Sequence, residues 1–255
     1  MGKKTAKQAI TSLDEIRQNK EFHQTHSLAG RDTNNWDPLD TIDQQRDRRY
    51  VRHIRPQSPN QSQLMEALAQ YCLTFAIGPA GTGKTYIAIA AAVEALERNQ
   101  VARIVLTRPA VEAGEKLGFL PGALEDKLDP YLRPLFDALG ERLGGKRLKS
   151  LMADGTIEIA PVAYMRGRTL NNAFVVVDEA QNCTYAQIKM LLTRLGWHST
   201  MVITGDPEQS DLLAGYSGLE EISQRLDALE GCRVVRMTND DVVRHPLVGK
   251  MLELL

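Results

Sequence analysis

The sequence predicts an α/β fold, doubly wound around a mainly parallel sheet. Three observations carry that expectation. From about residue 58 onward, short apolar runs of strand length alternate with helical stretches. Runs such as Phe174-Val175-Val176-Val177 are continuously apolar, as strands buried on both faces of a parallel sheet are. Three of the runs end in Gly, Asp or Thr at what would be the carboxyl edge of the sheet, where open α/β folds place their sites.

Taken in order, the first strand is predicted over residues 73–77, stopped by Gly78. An Ala-rich helix unbroken by Gly or Pro follows over 84–97, then a second strand over 103–107. Residues 122–144 are helical by period, with Leu124, Leu128, Leu132, Leu135 and Leu139 on one stripe interrupted at Pro130 and Pro134. Packing into the core is the ordinary use of such a stripe. Four more strands are expected over 156–160, 173–177, 201–204 and 233–236. Residues 1–57 differ: they are rich in Gln, Asn, Asp, Lys and Arg and poor in aliphatics. They read as an arm, disordered or ordered only on a neighbour, with a short helix near 11–20 capped by Ser12 and Glu15. The division is therefore an arm, 1–57, and an α/β domain, 58–255.

Composition excludes several classes. The 255 residues are 43% hydrophobic and 25% charged, as in soluble globular domains. Thirty-one Lys and Arg against 32 Asp and Glu leave a net charge of −1, so any nucleic-acid site is a local patch. No run approaches the apolar length of a spanning helix, and no secretory leader is visible at the start. Cys72, Cys183 and Cys232 are odd in number and far apart, without C-x-x-C, and read as reduced structural thiols. A cytoplasmic location is expected.

Gly78-Pro79-Ala80-Gly81-Thr82-Gly83-Lys84-Thr85 fits G-x-x-x-x-G-K-[ST] in every fixed position. It follows a predicted strand and opens a predicted helix, where backbone N–H groups and the helix dipole hold anionic phosphate. Lys84 is expected to reach the β- and γ-phosphates of ATP, and the Thr85 hydroxyl to ligate Mg²⁺. A second strand ends in Asp178-Glu179-Ala180-Gln181. Asp178 suits the metal, and Glu179 the place of an attacking water. A third ends in Thr204-Gly205-Asp206-Pro207-Glu208-Gln209, where Gln209 is positioned to sense the γ-phosphate and Asp206 to support the metal. Three strands ending at one edge in this way predict a nucleoside-triphosphatase.

With these residues in hand the chain resembles the PhoH family of P-loop ATPases, itself similar to the first RecA-like domain of superfamily 1 helicases. The most specific segments are 75–85, Thr107-Arg108-Pro109-Ala110-Val111 with Leu117-Gly118-Phe119-Leu120-Pro121-Gly122, and Tyr164-Met165-Arg166-Gly167-Arg168-Thr169. Residues 177–182, 204–209 and Asp241-Val242-Val243-Arg244-His245-Pro246 complete the match. It covers about residues 58–250 and includes neither a PIN nuclease nor a KH domain, which longer relatives carry. The resemblance implies a RecA-like fold, ATP hydrolysis, a role near RNA and assembly into rings, most simply hexamers. It also implies an adenine-reading glutamine before the P-loop, with Gln61 favoured over Gln63.

A motor of this type closes ATP against a second domain that supplies an arginine. About 198 residues hold one such domain, so the arginine is expected from this domain or from a neighbour in a ring, with Arg244 favoured over Arg166, Arg168 and Arg133. Thr107 and Arg108 sit where related helicases touch the nucleic-acid backbone: Arg108 suits a phosphate and Thr107 a sugar, while bracing of the acidic residues explains Arg108 equally well. Residues 46–55 carry five arginines and a tyrosine. That pattern suits single-stranded nucleic acid, and equally a strap onto a neighbouring subunit. A ribonuclease partner for an ATP-switched adaptor is the alternative to an RNA-coupled ATPase.

Overall fold

The strands are β1 (Leu73–Ile77), β2 (Arg103–Arg108), β3 (Ile157–Pro161), β4 (Ala173–Val177), β5 (Thr200–Gly205) and β6 (Cys232–Arg236). They form one sheet in the order β3-β2-β4-β5-β1-β6, and every pairing is parallel. The computed structural model describes residues 54–109, 124–213 and 215–243, with backbone alone for 124–131. All of these belong to the unit Ile42–Leu255. Residues 1–53 of the expected arm, including the helix near 11–20, lie outside the described residues.

The continuous apolar runs exist because both faces of the sheet are covered. Along each strand the side chains alternate between two cores. Ala76, Ile104, Leu106, Phe174, Val176, Val202 and Val235 join one, with helices α1 (Pro59–Gln70), α2 (Lys84–Glu97), α3 (Leu124–Leu143) and α4 (Gly145–Ala153). Phe75, Ile77, Val105, Val175, Val177, Met201 and Ile203 join the other, with α5 (Tyr185–Leu192) and α6 (Leu219–Leu226). Each predicted strand is present, with ends that move by one residue. The shift that matters is at β2, which continues to Arg108 because its ladder with β3 extends to Pro161.

Helix α3 runs unbroken through Pro130 and Pro134. Leu132, Leu135, Leu139 and Leu143 are buried along it. Pro134 has no N–H to give the carbonyl four residues back, yet burial of this leucine row keeps the helix in place. Leu124 and Leu128 of the expected stripe are among the residues whose side chains are not described.

No helix among the described residues is long and apolar enough to cross a membrane. The three cysteines are free. Burial pushes the Cys183 thiol up to about 12. Burial, aided by the charge of Asp227, takes Cys232 to about 11, so both are inert core thiols. Cys72 departs from the expectation: it is exposed, with its thiol turned to the carbonyl of Gly231 at 3.4 Å.

Candidate active site

The P-loop joins β1 to α2 and is shaped by chain far away in sequence. Gly78 adopts φ 140°, and a Cβ there would lie 2.3 Å from the carbonyl oxygen of Met237. Met237 in turn donates its N–H to Ile77 at 2.7 Å. Gly83, at φ 84°, caps α2 in the left-handed region that favours glycine. Lys84 is buried, and its ammonium donates to the carbonyls of Gly78 (2.5 Å) and Pro79 (2.7 Å). Thr82 ties the loop to itself through Oγ1 and the Pro79 carbonyl, 2.9 Å apart. A nucleotide phosphate offers Lys84 an anionic acceptor stronger than these neutral carbonyls.

Strand β5 lies between β1 and β4 in the sheet. That order brings the ends of β2 and β5 and the first turn of α2 around Asp178. The Asp178 N–H donates to Thr107 at 2.9 Å. Its Oδ1 accepts the hydroxyls of Thr85 (2.6 Å) and Thr204 (2.8 Å). Thr85 and Asp178 are hard oxygen donors at adjoining positions, the set that suits Mg²⁺ with its remaining ligands drawn from water and phosphate. Among the described residues no group of three or more His, Cys, Asp or Glu could hold a metal alone. An ion shared between these two residues and a bound triphosphate fits that donor set.

Glu179 follows in a left-handed conformation, φ 53° and ψ 41°. A non-glycine residue there carries about 1 kcal/mol or more of strain, of the kind stored at functional positions. Its Oε2 accepts the amide of Gln181 at 2.5 Å, and its Oε1 faces Nη2 of Arg108 at 3.3 Å. Arg108 also reaches Asp178 Oδ2 at 3.7 Å. The far end of the Gln181 amide accepts the Asp206 N–H at 3.1 Å, which joins the β4 and β5 edges. Asp206 caps a short turn, Pro207–Gln209, by accepting the Glu208 N–H, and this turn presents Gln209.

These edges enclose a cavity of about 240 Å³ lined by Ala80, Gly81, Gly83, Lys84, Thr85, Tyr86, Asp178, Glu179, Thr204, Gly205, Asp206 and Gln209. A larger hollow of about 740 Å³ opens near the amino ends of the strands, around Met65, Tyr71, Phe174 and Trp197. None of the P-loop or acidic-edge residues lines it, so the chemistry belongs to the smaller cavity.

Lys84, Thr85, Asp178, Glu179 and Gln209 are thus brought together as expected. Gln61 gains a structural contact, and the assignment of Thr107 changes. Gln61 is buried, its Nε2 donating to the Thr82 carbonyl at 3.1 Å and its Oε1 accepting the Gln57 N–H at 2.8 Å. It braces the P-loop in this conformation, with one N–H and one lone pair of its amide engaged and one of each left over. Thr107 is fully buried, and its hydroxyl finds no hydrogen-bond partner, so a nucleic-acid sugar has no access to it. Of the two readings of Arg108, contact with the acidic residues is the one seen. Arg168 is engaged by both carboxylate oxygens of Glu158, whereas Arg166 and Arg133 are exposed. Arg244 lies outside the described residues.

Sequence reasoning missed Thr204, Gln181 and the segment after β6. A Thr directly before Gly-Asp and a Gln two residues after the second acid were the signals for the first two. The third has none. There Asp241 accepts the Asn60 amide at 2.8 Å and the Thr238 N–H at 2.7 Å, while the Val243 N–H donates to Gly81 at 2.9 Å. Burial alone would raise the Asp241 carboxyl, but bonds from Ser58, Asn60 and Thr238 outweigh it and hold it below its usual value. A depressed carboxylate contributes stability that is present above its unfolded value of about 4 and lost as pH falls through the folded one. Asp241→Asn is therefore expected to lower the thermal midpoint at pH 7, with the gap to wild type closing below about pH 4. A gap constant from pH 7 to 3 would refute a charge-dependent brace.

Comparison with known proteins follows the same lines. Residues 53–255 match the family described as PhoH-like protein. A PhoH-like protein of Bacillus subtilis (strain 168) is 55% identical over 201 residues, covering 78% of this chain and 63% of that protein. One from Mycobacterium tuberculosis (strain ATCC 25618 / H37Rv) is 50% identical over 232 residues, covering 91% and 65%. The chain thus spans slightly less than two thirds of these relatives. Among solved structures, the large terminase of a thermophilic bacteriophage superposes with a TM-score of 0.51 at 11% identity, covering 78% of this chain and 50% of the terminase. That likeness concerns the fold. With a family match over residues 53–255, and a P-loop facing an acidic strand edge across one parallel sheet, the chain belongs to the PhoH-like protein family.

Proposed function

We propose that this chain is an Mg²⁺-dependent ATPase that works as a ring, most simply a hexamer, with turnover coupled to single-stranded RNA. The observation that carries the ATPase reading is the convergence of Lys84, Thr85, Asp178, Glu179 and Gln209 on one cavity. In this reading Lys84 and the loop amides hold the β- and γ-phosphates. Thr85 and Asp178 hold the metal, which neutralises charge on the phosphates when bound. Glu179 takes the proton of the attacking water, and Gln209 orients the γ-phosphate side of the cavity. Support for the ring is architectural. Among the described residues one sheet carries one P-loop, and the exposed Arg133 and Arg166 are free to meet a neighbour's site. RNA is favoured by the arginine-rich stretch 46–55 and by Arg108 at the β2 edge.

The test is steady-state ATP hydrolysis with and without single-stranded RNA over a protein dilution series. Lys84→Ala is expected to lower turnover by about 10²-fold or more. RNA is expected to stimulate the wild type, and specific activity to fall on dilution as rings dissociate. Turnover indifferent to Lys84 would sink the ATPase reading, and activity constant to nanomolar protein would sink the ring. A second reading, an ATP-switched adaptor for a ribonuclease or another protein, is favoured by one observation: both oxygens of Glu179 are engaged, which suits slow hydrolysis. RNA-indifferent turnover raised by a protein partner would select it.

A further inference from the structure

The acidic edge contains more than the catalytic roles need. A general base needs a lone pair aimed at the water it deprotonates. In this structure each oxygen of Glu179 has a holder: Gln181 donates to Oε2, and the guanidinium of Arg108 stands against Oε1, where its positive charge makes that oxygen a poorer proton acceptor. The two holders differ in kind. Gln181 is buried and anchored at its other end by the Asp206 N–H, so it is a fixed support. Arg108 is a cation at the end of β2 with 21% of its side chain exposed, bridging Asp178 at 3.7 Å and Glu179 at 3.3 Å. A partly exposed arginine between two carboxylates can be drawn off by a competing anion, and phosphodiester oxygens are the acceptors its planar fork matches best.

We propose that Arg108 is a latch on the general base. At rest it occupies Oε1 of Glu179. A backbone phosphate of single-stranded RNA arriving at the β2 edge takes the guanidinium and frees that oxygen, while Gln181 keeps the carboxylate in position. Water then attacks the γ-phosphorus and gives its proton to Oε1. The new P–O bond forms as the bond to the bridging β–γ oxygen breaks, and ADP leaves with that electron pair. Arg108 is thus a positioning residue, acting through Glu179. The strained backbone of Glu179 fits this arrangement, because it sets the carboxylate within reach of both holders. The inference rests on the ATPase reading above and explains how nucleic acid would control it.

The experiment compares wild type, Arg108→Ala and Arg108→Lys in steady-state ATP hydrolysis, with and without a single-stranded oligouridylate. Arg108→Ala is expected to raise RNA-free turnover by about threefold to tenfold and to bring the RNA stimulation ratio close to one. Arg108→Lys keeps the charge without the fork and falls between. The double variant Arg108→Ala/Glu179→Gln loses the extra turnover, which places that turnover on Glu179. A nucleotide-induced rise in the thermal midpoint of each variant verifies a folded site; should Arg108→Ala lack it, Arg108→Lys decides. RNA-free turnover at or below wild type with the stimulation ratio intact overturns the latch. Wild type indifferent to RNA beside a faster Arg108→Ala supports the latch and overturns the RNA reading instead.

Discussion

Replacing Glu179 by glutamine is expected to lower kcat for ATP hydrolysis by about 10²–10⁴-fold, with nucleotide affinity changed by no more than about threefold. The amide has the shape of the carboxylate but cannot accept a proton, so the loss falls on the chemical step. On the proposed reading binding is spared, because the phosphates would meet the P-loop and Lys84, which belong to other elements. Asp178 keeps its bonds from Thr85 and Thr204, so the residues suited to the metal are also left intact. Single-turnover hydrolysis beside equilibrium binding of a fluorescent nucleotide separates the two quantities. Turnover within about fivefold of wild type would move the base elsewhere.

Gly78→Ala is expected to be the most damaging single methyl in the described chain. Its Cβ would stand 2.3 Å from the Met237 carbonyl oxygen, at a backbone φ of 140°. Either fault alone costs about 1–3 kcal/mol, and here they coincide where backbone meets backbone and no side chain can turn aside. The relief available is to part the P-loop from the segment after β6, so nucleotide binding falls together with stability. Gly155→Ala is the control: φ is 77° there too, but its added Cβ meets nothing within 4 Å, so it carries the backbone strain alone. Denaturant midpoints for the pair should differ widely. Equal midpoints would mean that the Met237 contact is slack.

What can be read from the sequence is what is local. A strand of one period, a phosphate loop of eight residues and an acid pair at a strand end are each written in adjacent letters, and each stands where those letters put it. The failures are all of neighbourhood. Thr107 looks available beside Arg108, but whether a residue at a strand end faces core or solvent depends on which strands flank it. With β3 and β4 on either side, its hydroxyl is sealed in. Thr204 gains its role because β5 inserts between β1 and β4, a matter of strand order that periodicity does not encode. Gln61 has the right letter at the right interval, but that its amide also holds the loop it precedes is a contact the letters do not show. The ambiguity over Arg108 is real, since the same guanidinium that suits a phosphate also suits a carboxylate pair.

The bond between the Val243 N–H and Gly81, and that between Asn60 and Asp241 across 181 positions, bear on how the protein is made. During synthesis the entire phosphate loop leaves the ribosome long before the residues that press it into shape. A nascent chain stalled after β5 carries every letter of the nucleotide motif and lacks the clasp that sets its curvature. Competence to hold nucleotide should therefore come only once residues 237–243 have emerged and closed on the loop.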